Sequence, residues 1–441
     1  KIFKNIIYIL CFFTIVLGQK IIHMNGSYDL DGDKMLEFIA LELNPDRDVF
    51  PTAVRYYEMD RDGYQNLIWE FIPPVALEGE FVDAKIGDLD GDGVPELIIV
   101  MNLMKFADNN TPHVFIATYD WDGTHFSELP STSLDIGKGN RSLRCNNFQL
   151  LDQDSDGDQE LVLALGSPFR GFAIINSTAT GLTIEKKIRP DQLLVGSGLL
   201  YIGVVDYDND GYEDIIALSQ DGNILKAQPF YNIGGVFDSG HLVKKEIMGL
   251  NRILPYSIGL TDWDSDGFFD LLFSFHSGDI VALTLTPATL VIDQVPLSLG
   301  PLTQVVMNDF NQDTYQDILT LSSDINSLTL LSGVDGGIDN VENAMRNIPS
   351  DFQIFSILPL VESGVYTGNV LASGWDATIN QTYVIKLGNK SDKLDQGYLI
   401  TSDFIQNQLP DLISKSDDID PEVTEVYVEV MTDESIPLEP Q

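Results

Sequence analysis

Carboxylates recur along this chain at a fixed spacing. In the segment 206–214, Asp206, Asp208, Asp210 and Asp214 occupy positions 1, 3, 5 and 9, with Gly211 at position 6. Three more segments are complete: Asp88, Asp90, Asp92 and Glu96; Asp152, Asp154, Asp156 and Glu160; and Asp262, Asp264, Asp266 and Asp270. Three are degenerate. Asp29, Asp31, Asp33 and Glu37 carry Lys34 where glycine is expected. Glu58, Asp60 and Asp62 end on Asn66. Asp309, Asn311, Asp313 and Asp317 carry Thr314 at position 6.

Such a loop is an oxygen cage. A hard cation such as Ca²⁺ takes six to eight oxygen ligands. Alternate residues of a tight loop turn their carboxylates toward one centre, and the acid at position 9 closes the shell. Position 7 adds a backbone carbonyl, from Val94, Asp158, Tyr212 or Phe268. Glycine at 6 permits the sharp turn; Lys34 and Thr314 make it costlier. An EF-hand shares the first half of the pattern but places its bidentate acid at 12, between helices. Here the loops run into apolar β-formers such as 97–100 and 215–218, so the unit reads strand, loop, strand. About four to seven Ca²⁺ ions are expected, since so many unpaired carboxylates in register would repel one another.

The loops must sit on a repeat. Their first residues are separated by 29, 30, 64, 54, 56 and 47 residues. Periods of roughly 40–60 residues with several strands each suggest propeller blades. In the Asp206 unit, strands are predicted at 199–205, 215–219, 223–230 and 241–248, with a Gly-rich connection at 232–240. The first two units are too short for four strands each; they read as trimmed blades, or one completes the last blade. Residues 350–400 read as strands without an acidic loop. The expected fold is all-β, a β-propeller of seven blades, with six or eight as alternatives.

Acidic residues outnumber basic ones 67 to 25, for a net charge of −42. Seven bound divalent ions would still leave about −28. Such a surface repels nucleic-acid backbones and anionic membranes. Residues 1–18 read as a secretory signal peptide, with Lys1 and Lys4 before an apolar run too short for a comfortable membrane span. No transmembrane segment is expected after cleavage, and the expected location is extracytoplasmic: secreted, periplasmic or at the cell surface. Cys145 is then the one remaining cysteine, read as a small buried hydrophobe. The repeat region spans 19–400, and 401–441 reads as an acidic tail or linker.

The stretch 86–100, Ile86 to Val100 around Asp88, Asp90, Asp92 and Glu96, resembles the FG-GAP (VCBS) repeat of integrin α-subunit propellers and many secreted bacterial proteins. The segment 119–123 resembles the hairpin tip of those repeats. The resemblance covers roughly 20–335. It implies a calcium-binding propeller acting in adhesion, ligand binding or surface assembly, with polysaccharide lyases among a few relatives. The ligands it implies are the loop residues already named; Lys34, Asn66 and Thr314 depart from its pattern.

Catalytic patterns are missing from the sequence. The five histidines show no i, i+4 pairing, and no nucleophile elbow, P-loop or dinucleotide fingerprint occurs. Trp69, Trp121, Trp263 and Trp375 read as packing residues before sugar platforms. The expectation is a non-enzymatic binding or adhesion module for an extracellular protein or glycan. The alternatives are a structural surface or matrix component, or a lyase on the same scaffold.

Overall fold

Each acidic loop runs into a strand that is apolar at nearly every position, and the structure explains why. In Glu96–Leu103, Ile98 and Val100 pack on one neighbouring sheet while Leu97, Ile99 and Met101 pack on the other. In Glu160–Leu165 the same division separates Leu161, Leu163 and Leu165 from Val162 and Ala164. A strand covered on both faces loses the polar alternation of a half-exposed one.

The structure is a computed structural model. It describes residues 20–401, apart from breaks at 44–50, 60–64, 75–78, 104–113, 137–142, 191–198, 263–267, 295–298, 323–327, 344–351, 377–380 and 389–397 and several shorter ones, together with 428–430. The signal-peptide reading and most of the acidic tail fall outside the described residues.

The described strands form seven sheets, five of four strands and two of five. Strands adjacent in sequence lie side by side within each sheet, except that Phe237–Ser239 and Val243–Glu246 both pair with Ile224–Asn232. The first strands are Lys20–Tyr28, Gly79–Gly87, Cys145–Leu151, Leu199–Val205, Ile253–Thr261, Leu302–Asn308 and Phe352–Glu362. Each packs against the first strand of the sheet before and the sheet after, and Lys20–Tyr28 packs against Phe352–Glu362. The sheets thus stand around an axis as a closed ring, with first strands innermost.

Amide side chains stitch the inner ring. Asn147 Nδ2 donates to Ile202 O at 2.7 Å, and its Oδ1 accepts the Ile202 N–H at 3.1 Å. Gln304 treats Ile357 the same way at 2.9 and 2.8 Å, and Asn102 treats Cys145 so at 2.9 and 2.8 Å. Each clamp satisfies backbone groups of the next sheet that burial would otherwise leave unpaired. Burial raises the Cys145 thiol pKa, which keeps it in its unreactive form.

Two expectations change here. The first two acidic units are not trimmed blades. Lys20–Tyr28, Leu36–Leu43, Pro51–Met59 and Gln65–Phe71 form one four-stranded sheet, and from Asp29 to Asp88 is 59 residues, an ordinary period. Nor does any first-sheet strand complete the last one. The ring closes by packing of Ile21, Met24 and Phe38 on Leu358, Leu360 and Leu371. Serines bridge the seam: Ser356 Oγ accepts from Met24 N–H (2.9 Å), Ser27 Oγ from Val361 N–H (2.7 Å), and Ser373 Oγ donates to Ile21 O (2.7 Å). The last sheet joins its first two strands directly, 362 to 365, with no acidic loop, as expected.

Candidate metal centre

Six of the seven acidic segments connect the first strand of a sheet to its second. The Glu58 segment is the exception. Glu58 lies within Pro51–Met59 and the segment runs into the connection from third to fourth strand. Its backbone pattern is local, so the sequence alone gave no sign of which connection it occupies. Asp60 and Asp62 lie outside the described residues, as do Asp264, Asp266 and Asn311.

The described loops share one hydrogen-bond plan. The acid at position 9 reaches back to the N–H of position 2: Glu37 to Leu30 (3.0 Å), Glu96 to Leu89 (2.7 Å), Glu160 to Gln153 (2.8 Å), Asp214 to Tyr207 (3.0 Å) and Asp317 to Phe310 (2.9 Å). The acid at position 1 accepts the N–H of position 6: Asp29 from Lys34, Asp88 from Gly93, Asp152 from Gly157, Asp206 from Gly211 and Asp309 from Thr314. These bonds curl the backbone so that side chains at 1, 3 and 5 converge.

Position 6 is left-handed in all five loops, with φ of +71° at Lys34, +81° at Gly93, +99° at Gly157, +93° at Gly211 and +81° at Thr314. Lys34 and Thr314 therefore take the same turn as glycine, at a steric cost. Position 4 is left-handed too, at Gly32, Gly91, Ser155 and Asn209. Sequence reasoning missed this second constraint. The signal was there, since position 4 is always a glycine or a small polar residue where it is described, the types that tolerate this region best.

Carboxylate oxygens come within 4.8 Å of one another in the sets Asp88/Asp90/Asp92/Glu96, Asp29/Asp31/Asp33, Asp152/Asp154/Asp156 and Asp206/Asp208/Asp210. A fifth set, Asp31/Glu37/Glu58, joins the Glu58 segment to the first loop. Among the described residues these sets contain neither histidine nor cysteine, so the donors are those of a hard cation. Position 9 differs from loop to loop. Glu96 lies within its cluster. Asp214 and Asp317 spend their other oxygen on a third-strand N–H, that of Asn232 at 2.6 Å and of Gly333 at 2.7 Å.

Two observations test the fit. Asp152 Oδ1 and Asp208 Oδ1 are buried without a hydrogen-bond partner, which costs free energy unless a cation meets them. The protons tell the same story. Burial, with neighbouring carboxylates adding to it, pushes Glu37, Glu96, Glu160 and Asp214 up to about 7, against the pull of the backbone N–H groups. Burial, then Asp210 and Asp206, raises Asp208. The geometry concentrates negative charge beyond what its own donors neutralise.

The tryptophans pack. Trp121 is buried, edge-on to Tyr56 and Phe126 at 5.9 and 5.0 Å, and Trp69 Nε1 donates to Ser127 O at 3.2 Å. Lys20 Nζ lies 5.0 Å from the buried Trp375 ring; Trp263 lies outside the described residues.

Among solved structures, BBS1N in complex with ARL6DN matches with a TM-score of 0.53 and 12% identity, over 86% of this chain and 95% of that one. The chain is a β-propeller. Other matches are rhamnogalacturonan lyase YesW (TM-score 0.41, 13% identity, 78% of this chain and 72% of that one) and the Dos1 propeller (0.44, 9%, 76% and 72%). No protein-family model matches the propeller. No curated protein matches it either.

Proposed function

We propose that this propeller is an extracytoplasmic binding or adhesion module, stabilised by Ca²⁺ in its acidic loops, for a protein or glycan ligand. The likeness of 86–100 to FG-GAP repeats supports the calcium reading, as do the unpartnered oxygens of Asp152 and Asp208. Asp88, Asp90, Asp92 and Glu96, and their counterparts in the other loops, would hold the ion. Bound there, it would neutralise the cluster and fix the loop.

One observation carries the binding role. In antiparallel sheets the first-to-second and third-to-fourth connections lie at the same end. That end carries the acidic loops and also exposed apolar side chains: Leu129 (76%), Val236 (66%), Ile233 (63%) and Phe269 (60%). Apolar tips beside charged loops supply the contacts of an interaction surface where they gather into one patch.

The test is a binding screen of the calcium-loaded full chain against immobilised glycans and proteins. A saturable ligand lost on Ile233→Asp with Val236→Asp, without a change in melting temperature, is expected. Saturation unaffected by those substitutions would sink the assignment of the face. No ligand at all would favour a purely structural role, and unsaturated products from acidic polysaccharides would favour a lyase.

A further inference from the structure

The seventh sheet ends differently from the other six. Its fourth strand, Tyr398–Thr401, pairs with a fifth, Val428–Val430, in the register Leu399 to Val428, Ile400 to Glu429 and Thr401 to Val430. Among the described strands this is the one parallel pair. A hairpin cannot join parallel neighbours, and residues 402–427 separate these two. The fifth strand is therefore a distant segment brought back to the sheet's outer edge.

The residues of the outermost strands say why one sheet needs it. An open edge offers unpaired N–H and C=O groups to any other strand, and charged residues on the edge deter that pairing. In the first six sheets the outermost strands contain Glu70, Asp135, Lys186, Lys244, Asp293 and Glu342 respectively. Tyr398–Thr401 reads Tyr-Leu-Ile-Thr and contains no charge. It is also rich in residues that favour strands. Adding Val428–Val430 makes the outermost strand one that contains Glu429, and so restores the pattern of the other six.

We propose that Val428–Val430 is an edge guard: it occupies the outer edge of the seventh sheet, and without it Tyr398–Thr401 pairs with the same edge of a second copy. Two identical edges meeting about a two-fold axis satisfy each other's backbone groups and close at a dimer. The net charge of −42 opposes that encounter, and salt weakens the opposition. Dimer formed by the unguarded chain should therefore increase with ionic strength. The inference needs neither the calcium reading nor a ligand.

The experiment is sedimentation velocity of the full chain over a range of concentrations, at about 0.15 M and about 1 M salt. Adjacent residues turn their N–H groups to opposite sides of a strand, so Glu429→Pro with Val430→Pro must remove a donor facing Tyr398–Thr401. Glu429→Val keeps the strand and removes its charge. Glu439→Val makes the same change of charge elsewhere in the tail. Melting curves check that each variant folds. The wild type and Glu439→Val are expected to stay monomeric. The double proline variant and Glu429→Val are expected to dimerise with rising concentration, more so at high salt. Ile400→Lys added to the proline variant should return the monomer. A monomeric proline variant at high salt, or a wild type that dimerises equally, would overturn the guard. So would equal association of Glu429→Val and Glu439→Val. If the proline variant does not fold, a monomeric Glu429→Val overturns it. A dimer that persists with Ile400→Lys would overturn the assignment of the edge.

Discussion

The backbone N–H of Gln159 donates to the carbonyl of Asp88 at 2.8 Å, and its side-chain Oε1 accepts the Asp88 N–H at 3.2 Å. These residues belong to adjacent sheets: Gln159 is position 8 of one acidic loop and Asp88 position 1 of the loop before it. The next pair repeats the relation, with Glu213 Oε2 accepting the Asp152 N–H at 3.1 Å. Neighbouring loops are tied in series along one end of the propeller.

Sites tied in this way should fill together. The calcium isotherm is expected to be steeper than independent sites allow, and Gln159→Ala to flatten it. Isothermal titration of both proteins decides this; identical curves would mean that the tie is passive.

Asp208 should change sign with calcium. Without the ion, partial burial and then repulsion from Asp210 and Asp206 disfavour its charge, so Asp208→Asn should raise the melting temperature in EDTA. With Ca²⁺ present, loss of a ligand should lower it. An occupied site at a hundredfold excess over Kd contributes roughly 2.7 kcal/mol. Scanning calorimetry in both conditions would show the crossover, and parallel shifts would refute it.

The turn at position 6 can be tested without touching a carboxylate. A Cβ added at Gly211 would meet nothing within 4 Å, so Gly211→Ala should cost about 1 kcal/mol through backbone strain alone. Thr314 already bears that strain at φ +81°. Thr314→Gly should stabilise by about 0.5–1 kcal/mol, less than the full strain because glycine loses more chain entropy on folding. Urea unfolding in EDTA measures both.

A pH effect is expected from the inner ring. Burial, then the nearby Lys85 charge, holds His23 at about 3, while burial raises Asp83, 3.7 Å away, to about 6. A depressed histidine gives stability that is present above its unfolded value near 6.5 and is lost as pH falls toward 3. Asp83 runs the other way: its contribution is present below about 3.8 and is lost as pH rises through 6. Between pH 7 and 5 the His23 contribution falls by about 2 kcal/mol. His23→Gln should therefore lose about that much less stability than the wild type over this interval, with Asp83 common to both. Equal losses in denaturant titrations at the two pH values would exclude the effect.

Much of this architecture was legible in the residues. The strand predicted at 199–205 matches Leu199–Val205, and that at 215–219 lies within Asp214–Asp221. The fold follows from two-sided burial, which writes unbroken apolar runs after each loop. The outer strands were less legible. The connection read at 232–240 contains Phe237–Ser239, and Val243–Glu246 pairs with the same third strand. An edge strand is held by its backbone and leaves a weak side-chain pattern. The carboxylate positions needed only spacing, whereas the place of Glu58 opposite Glu37, the ties of Gln159 and Glu213, and the clamp of Asn147 depend on which strands become neighbours.

Among the described strands, every sheet is made from one continuous stretch of chain, and none is lent across the seam. Each can complete its own pairing as it leaves the ribosome and dock onto its predecessor, before the following sheet exists. Only the joint among Ser27, Ser356 and Ser373 must wait for the seventh sheet. That joint is noncovalent and spans more than three hundred residues of sequence, so it is where an advancing mechanical pull would first open the circle.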